Sequence, residues 1–230
     1  MRWFEIRDPI YGFIEFNEWE RDIINHPVFQ RLRRIRQLGL TSMIYPGAMH
    51  TRFEHSLGVM HLATKMFDNI IKKDKNKRLL EDELGYGEGG FERDKQLLRL
   101  AALLHDVGHA PFSHASEELF PSNPKNNKYF KHEDYTVAII KGPLREAIEK
   151  HPINGNYRIR ADEVSDLIMG NPKILGKRVF WKVIISSQLD ADRGDYLLRD
   201  SLHCGVKYGI YDVERLLVTL ALGKDPESGI

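Results

Sequence analysis

From Lys95 to Val107 the chain reads Lys-Gln-Leu-Leu-Arg-Leu-Ala-Ala-Leu-Leu-His-Asp-Val, a helical pattern that is apolar on most of its faces. A helix of this kind cannot lie with one side in water. Other elements must surround it, which calls for a layered body and enough chain to wrap it. The 230 residues suffice for one large domain, or for one with a small appendage. A second helix is predicted from Phe53 to Ile71, where apolar residues at 53, 57, 60, 63, 67, 70 and 71 recur at helical spacing.

Around these two helices the pattern is again mostly helical. Trp3-Phe4-Glu5-Ile6 and Phe13-Ile14-Glu15-Phe16 alternate about the turn-like Asp8-Pro9-Ile10-Tyr11-Gly12, which predicts a small hairpin over residues 1–16. Asn17 with Glu20 forms a capping box opening a helix that runs to the Asn25-His26-Pro27 break. Val28 to Leu38 is expected to be a basic amphipathic helix ended by Gly39, and 72–94 a charged, glycine-rich surface loop. Pro121 to Lys131 reads as a second loop. Helices are expected at about 133–150, 161–169, 178–203 and 212–222, with connectors at 151–160 and 170–177. The fold class is therefore all-α with one N-terminal β-hairpin. The expected division is a hairpin at 1–16, a helical domain at 17–222, and at 223–230 the start of a C-terminal segment that breaks off where a strand would begin.

Composition narrows the function classes. Hydrophobic residues make up 42% and charged residues 29%, the ordinary globular mix, which argues against disorder or a membrane-embedded chain. Lys plus Arg number 34 and Asp plus Glu 33, so the net charge of +1 gives no overall field for nucleic acid or an anionic membrane. The single cysteine, Cys204, cannot form an internal disulfide, and no apolar run has the length of a signal peptide or a bilayer span. Cytoplasm is the expected location.

Three segments carry chemistry. In His105-Asp106-Val107-Gly108-His109 a helical advance of about 100° per residue lets both histidines and the aspartate face one centre, offering nitrogen and oxygen ligands to a divalent cation. Taken alone the His-Asp pair is as well explained by two histidines and an aspartate satisfying a helix end. Pro111 is expected to end that helix. His55 lies in Arg52-Phe53-Glu54-His55-Ser56-Leu57-Gly58 at the start of the Phe53 helix, where a lone histidine is ordinarily a cap or a core residue. Four aspartates fall within the eleven residues Asp190 to Asp200, with Asp192, Tyr196 and Arg199 in one stripe flanked by Asp195 and Asp200. A solvated acidic face is the plain reading of that stripe. The leucines around it argue instead for partial enclosure, where carboxylates need a cation.

His55, then His105-Asp106, then Asp192, on three helices, have the order and character of the HD metal-binding signature. With Gln37-Leu38-Gly39, Tyr45-Pro46-Gly47-Ala48, the block from Arg52 to Gly58, the block from His105 to His114 and Asp190 to Tyr196, the chain resembles the deoxynucleoside triphosphate triphosphohydrolases from about Asp8 to about Leu222. That group includes bacterial dGTP triphosphohydrolases and the HD part of the vertebrate SAM- and HD-domain protein. The resemblance implies a divalent metal, Mn, Fe, Ni, Mg or Zn, held by His55, His105, Asp106 and Asp192. It implies Arg52 on the α-phosphate, Gln37 and Asp200 on the sugar 3′-hydroxyl, and Tyr196 against the sugar face. His109, His114 and His132, with Glu117 near them, would line the phosphates and transfer protons. Glu117 departs from the vertebrate pattern, which has an aspartate there. The family also continues past this chain's last residue with a segment that supplies much of the base pocket and the oligomer contacts.

The reaction so implied is hydrolysis of a dNTP to deoxynucleoside and triphosphate. A nucleotidase or phosphodiesterase on the same metal site is a rival, and a catalytically silent nucleotide- or nucleic-acid-binding scaffold is another. Arg31, Arg33, Arg34 and Arg36 could serve as a nucleic-acid or nucleotide-effector patch, but no aromatic residues interleave with them and a solvated or interface face is the stronger reading. His26, His50, His61, His151 and His203 are expected to be turn, surface or core residues. Self-association is expected, because Leu216, Leu217, Leu220 and Leu222 need cover.

Overall fold

Asp8 begins the tertiary structure. In the computed structural model, which describes residues 1–87, 89–124 and 127–223 and the backbone alone of His114, its carboxylate accepts the amides of Ile10 and Tyr11 at 2.8 and 3.0 Å. This closes the turn between β1 (Trp3–Asp8) and β2 (Gly12–Asn17), an antiparallel pair in the register Phe4 to Phe16 and Ile6 to Ile14. Asn17 then caps α1 (Glu18–Asn25) through the reciprocal box with Glu20.

α2 (Pro27–Gln30) passes into a 3-10 turn at Arg31–Arg34, and α3 (Arg52–Ile71), α4 (Asp74–Leu84) and α5 (Gly90–Leu104) follow. After a 3-10 turn at Ser113–Leu119 come α6 (His132–Lys141), α7 (Arg145–Glu149), α8 (Asn154–Tyr157) and α9 (Ala161–Met169). α10 (Pro172–Leu175), a 3-10 turn at Gly176–Trp181, α11 (Lys182–Ile185), α12 (Ala191–Cys204) and α13 (Val213–Thr219) complete the described chain. The body is helical with one hairpin, as expected. Most of the expected C-terminal segment, residues 224–230, lies outside the described residues.

α5 is the centre. Leu97, Leu98, Leu100, Ala101, Ala102, Leu103 and Leu104 are all buried, with α3 on one side and α9 on another. Its one inward arginine, Arg99, binds both carboxylate oxygens of Glu20 at 2.6 Å, so α1 and the hairpin are bolted to the central helix. α3 in turn packs between α5 and α12, and this triple layer brings the first turn of α3, the end of α5 and the start of α12 together.

Several expected elements differ, each for a physical reason. The segment 72–94 contains α4, because Asn76 and Leu80 supply one buried stripe while the charges face water; Asn76 also donates to the Ile70 carbonyl at 3.0 Å. The basic helix expected over 28–38 stops at Arg34. Beyond it the chain runs extended, so that Arg52 N can donate to Ile35 O at 2.9 Å and Gln37 N to His50 O at 3.1 Å. Helix 133–150 is split at Gly142-Pro143, where proline lacks the amide a helix needs. Helix 178–203 is interrupted by 186–190, since Asp190 caps α12 by accepting from Arg193 N and Ser187 N at 2.7 and 2.5 Å. The connectors 151–160 and 170–177 each hold a single helical turn. Finally, the leucines at the C-terminal end cover the molecule itself: Leu217 is buried, Leu220 and Leu222 pack against the core, and Lys73 donates to the Val218 and Leu220 carbonyls. The surface on which self-association was expected is thus mostly spent within the chain.

Candidate metal centre

Thr51 and Glu54 form a capping box at the start of α3, so Arg52 and His55 sit in its first turn, where side chains reach past the helix end. His55 is completely buried. Its Nδ1 faces Asp195 Oδ2 at 2.8 Å, while its Nε2 lies 3.0 Å from Asp192 Oδ1 and 3.8 Å from Asp106 Oδ2. α5 ends at Leu104, earlier than the sequence pattern indicates, and His105 to Gly108 form the turn beyond it. There His105 Nδ1 donates to the Ala102 carbonyl at 2.8 Å, and its Nε2 lies 3.4 Å from Asp106 Oδ1 and 3.8 Å from Asp192 Oδ1.

Both Nε2 atoms are buried, and among the described residues neither makes a well-formed hydrogen bond; what faces them, at 3.0 to 3.8 Å, is carboxylate oxygen. Two orphaned imidazole nitrogens facing two carboxylates suit a cation better than one another. Ligands about 2.1 Å from one ion stand roughly 3.0 to 3.4 Å apart at octahedral or tetrahedral angles, which matches the shorter separations here. His55, His105 and Asp106 also have ligand atoms close enough to share an ion. Electrostatics agree. Burial lowers the pKa of His55, yet Asp192 and Asp195 overcome it and push it up to about 10. Burial works against ionised Asp106, but His105 and Arg52 hold it well below the usual carboxylate range, and His55 and His105 hold Asp192 low against the same penalty. The centre attracts positive charge.

Above it stands a wall of histidines. His109 Nε2 is 3.4 Å from Asp106 Oδ1, and its ring stacks on that of His132 with centroids 3.8 Å apart. Burial lowers the His109 pKa to about 4. Glu117 Oε1 accepts from His132 Nδ1 at 2.6 Å, so the longer side chain at 117 reaches this imidazole. The side chain of His114 lies outside the described residues. The turn itself is held from two sides: Arg31 donates to the Val107 and His109 carbonyls at 2.6 and 2.7 Å, and Thr136 Oγ1 accepts from Gly108 N at 2.9 Å. Gly108 has no room for a Cβ, which would fall 2.2 Å from His132 O and from Thr136 N. Arg31 is therefore not part of a free basic face.

The centre opens into a cavity of about 580 Å³, within the range of small-molecule sites. Arg52, which reaches Asp106 and also binds Ser113 Oγ through Nη2 at 2.7 Å, lies on one wall; Gln37, Tyr196, Lys131 and Lys182 line others. Among the residues singled out from sequence, Gln37, Arg52, His105, Asp106, His109, His132, Asp192 and Tyr196 border this cavity. His55 lies beneath it, and Glu117 reaches it through His132. Asp200 is apart, its Oδ1 accepting from His50 Nε2 at 2.8 Å. The expected stripe on α12 divides: Asp192 and Tyr196 face the cavity, whereas Asp195 and Arg199 are fully buried against α3. Lys131 and Lys182 were not marked by any motif, His50 was expected to be a turn, surface or core residue, and Arg31 was read only as part of a basic patch. Only the placement of the Arg31 side chain on two carbonyls reveals its role, and a lone lysine carries no signal of what it lines. Among the described residues, the clusters of ligand-type residues do not include His26, His61, His151 or His203.

The chain also has relatives among known proteins. The sequence profile of the HD domain matches residues 52–173, a span that ends before Asp192. Over 92% of its length the chain is 36% identical to uncharacterized protein YwfO of Bacillus subtilis, covering 42% of that protein. It is 34% identical to the deoxynucleoside triphosphate triphosphohydrolase SAMHD1 homolog of Dictyostelium discoideum, over 92% of this chain and 38% of that one. A crystal structure of a phosphohydrolase from Bacteroides thetaiotaomicron superposes with a TM-score of 0.72 at 32% identity, covering 96% of this chain and 47% of that one. The chain thus spans less than half the length of each of these relatives. Among the described residues no helix is long and apolar enough to cross a membrane.

Proposed function

Since the chain belongs to the HD-domain family, and to the part of it that is akin to the dNTP triphosphohydrolases, we propose that it is a metal-dependent phosphohydrolase that cleaves a dNTP into deoxynucleoside and triphosphate. The observation that carries this is the pair of orphaned Nε2 atoms facing Asp106 and Asp192 at the floor of a nucleotide-sized cavity. His55, His105, Asp106 and Asp192 would hold one divalent ion, whose chemistry is to polarise a phosphoryl oxygen and to make water a better nucleophile near neutral pH. Arg52 supplies a planar fork for the α-phosphate, next to the carboxylate it now binds. Water adds to the α-phosphorus, the bond from phosphorus to the sugar O5′ breaks, and that oxygen takes up a proton as it leaves.

His132 suits the proton transfer, because Glu117 orients its ring and its other face stacks on His109. His114 completes the proposed set of histidines. Tyr196 forms the sugar wall, Gln37 the 3′-hydroxyl contact from the cavity side, and Asp200 a further contact once it is released from His50. A homo-oligomer in the cytoplasm, responsive to a nucleotide effector, belongs to the same proposal by kinship with the longer relatives.

Chromatographic product analysis with each dNTP tests this directly. Deoxynucleoside with triphosphate is the expected outcome. Orthophosphate or a nucleoside monophosphate would instead establish the nucleotidase or phosphodiesterase reading, and tight dNTP binding without turnover would establish the scaffold. Elemental analysis of protein purified without added metal identifies the ion.

A further inference from the structure

Behind His55, on the side away from the cavity, lies a line of charge that no step of the proposed reaction uses. Asp195 and Arg199 are both completely buried. Arg199 donates from Nε to Asp195 Oδ2 at 2.9 Å and from Nη2 to Asp195 Oδ1 at 2.8 Å, a two-point grip. Its third donor, Nη1, binds Asp8 Oδ2 at 2.9 Å. Asp8 is the residue whose other oxygen closes the hairpin turn. An unbroken path of hydrogen bonds therefore runs from that turn through Arg199 and Asp195 to the ring of His55.

We propose that Asp195, clamped by Arg199 and through it by Asp8 of the hairpin, is a positioning residue that fixes His55 as an Nε2 donor and ties the hairpin to the metal centre. The inference rests on the metal-binding role given to His55 above. A carboxylate gripped by a guanidinium at both oxygens can only accept, so the proton of a neutral His55 must sit on Nδ1 and its lone pair on Nε2, toward Asp192 and Asp106. The same contact makes the imidazole a stronger donor. His105 has only the Ala102 carbonyl in that role, so the two histidines are unequal, with His55 the more strongly supported. α3 is shaped around the clamp. A Cβ on Gly58 would stand 1.9 Å from Asp195 Oδ1 and 2.5 Å from Arg199 Nη2, so helix and clamp meet only because residue 58 has no side chain.

Mn2+ affinity of the full chain, measured by titration calorimetry on metal-stripped protein, tests this. Asp195→Asn should weaken Mn2+ binding about 10- to 100-fold. Asp8→Asn, two links further away and still able to close the turn through its amide oxygen, should weaken it by less, within about tenfold. As a control for mere loss of stability, Glu20→Gln in the Arg99 network should lower the melting temperature and leave Mn2+ affinity unchanged. In the metal-free protein the His55 Nδ1 proton should give a downfield nitrogen-correlated signal that Asp195→Asn removes. Wild-type affinity in both Asp195→Asn and Asp8→Asn would overturn the inference alone. If Asp195→Asn does not fold, unchanged affinity in Asp8→Asn overturns it. A wild-type chain that binds no Mn2+ would remove the metal-centre reading and this inference with it.

Discussion

Two buried ionic networks hold the hairpin to the helices, and they differ at one end. In the first, Asn17, Glu20, Gln96 and Arg99 satisfy one another: Asn17 Nδ2 donates to Gln96 at 2.9 Å, Gln96 Nε2 to Glu20 at 2.9 Å, and Arg99 ends on Thr64 Oγ1 at 2.8 Å and the Glu15 carbonyl at 3.0 Å. In the second, Asp8, Arg199 and Asp195 are equally buried, but the path finishes at His55 Nε2, which faces Asp192 Oδ1 at 3.0 Å without a well-formed hydrogen bond among the described residues. A closed network is scaffold, since every desolvated group regains a partner. One that ends on an unsatisfied atom facing carboxylates keeps that atom for a ligand. Burial and charge alone do not separate the two; their termini do.

The contrast is broken most sharply at the open end. Asp106→Ala removes a carboxylate shared by His55, His105, His109 and Arg52, and should abolish metal retention and reduce phosphohydrolase turnover by more than about 10³-fold, with helical circular dichroism retained. Metal stoichiometry equal to that of the wild type in this variant would sink the site. In the closed network the same kind of deletion should act on stability instead. Glu20→Ala leaves Arg99 buried without its anion and should cost about 3 to 5 kcal/mol in denaturant unfolding, while metal content at saturating ion stays at the wild-type value. A loss of bound metal there would show that the two networks are not separate.

At the cavity the expected effect is smaller. If Tyr196 is the sugar wall, a ribose 2′-hydroxyl finds neither room nor partner, which disfavours NTPs by about 1 to 3 kcal/mol, or about 5- to 150-fold. Tyr196→Ala should narrow that gap, as read from the ratio of kcat/KM for dGTP and GTP. Equal turnover of both by the unaltered protein would refute the sugar contact and leave the metal centre standing.

Which parts of this were readable beforehand follows from what each signal depends on. The central helix, the hairpin and the Asn17 cap rest on local pattern, and all three are present. α4 was hidden because seven of its eleven residues are charged, and its inner face rests on Asn76 and Leu80 with Leu84 packed against the core. The basic segment at 31–36 is not a helix because its backbone pairs with 50–52 and Arg31 is drawn to carbonyls 76 and 78 positions away, which no local periodicity encodes. His55, His105, Asp106 and Asp192 could be named from their blocks; the first three have ligand atoms close enough to share an ion, and Asp192 Oδ1 lies 3.0 Å from His55 Nε2 and 3.8 Å from His105 Nε2. Asp195 and Arg199 were visible only as part of an acidic stripe. Their inward turn depends on Gly58, on a different helix, leaving space for them.

His61 sets the smallest expected effect, and it tests the field around the second network from outside. It lies six residues along α3 from His55, against the Tyr11 ring at 4.9 Å between centroids. His55 is raised by its carboxylates, whereas His61 is lowered to about 4, first by burial and then by Lys65 and Arg99, with Asp8 and Asp195 opposing too weakly to prevent it. Because the native pKa is below the 6.5 of a free imidazole, the unfolded chain binds more protons between pH 6.5 and 4. Stability from this residue is therefore complete above pH 6.5, declines as the pH falls through that window, and changes no further below about pH 4. Allowing for its partial exposure, the loss between pH 7 and pH 5 should be about 1 kcal/mol. Other groups also titrate there, so the measurement is a difference: urea unfolding of the wild type and of His61→Gln at both pH values. The variant should lose less stability than the wild type over the interval. Equal losses would mean that His61 is as solvated in the folded chain as in the unfolded one, and that the positive groups beside the hairpin do not reach it.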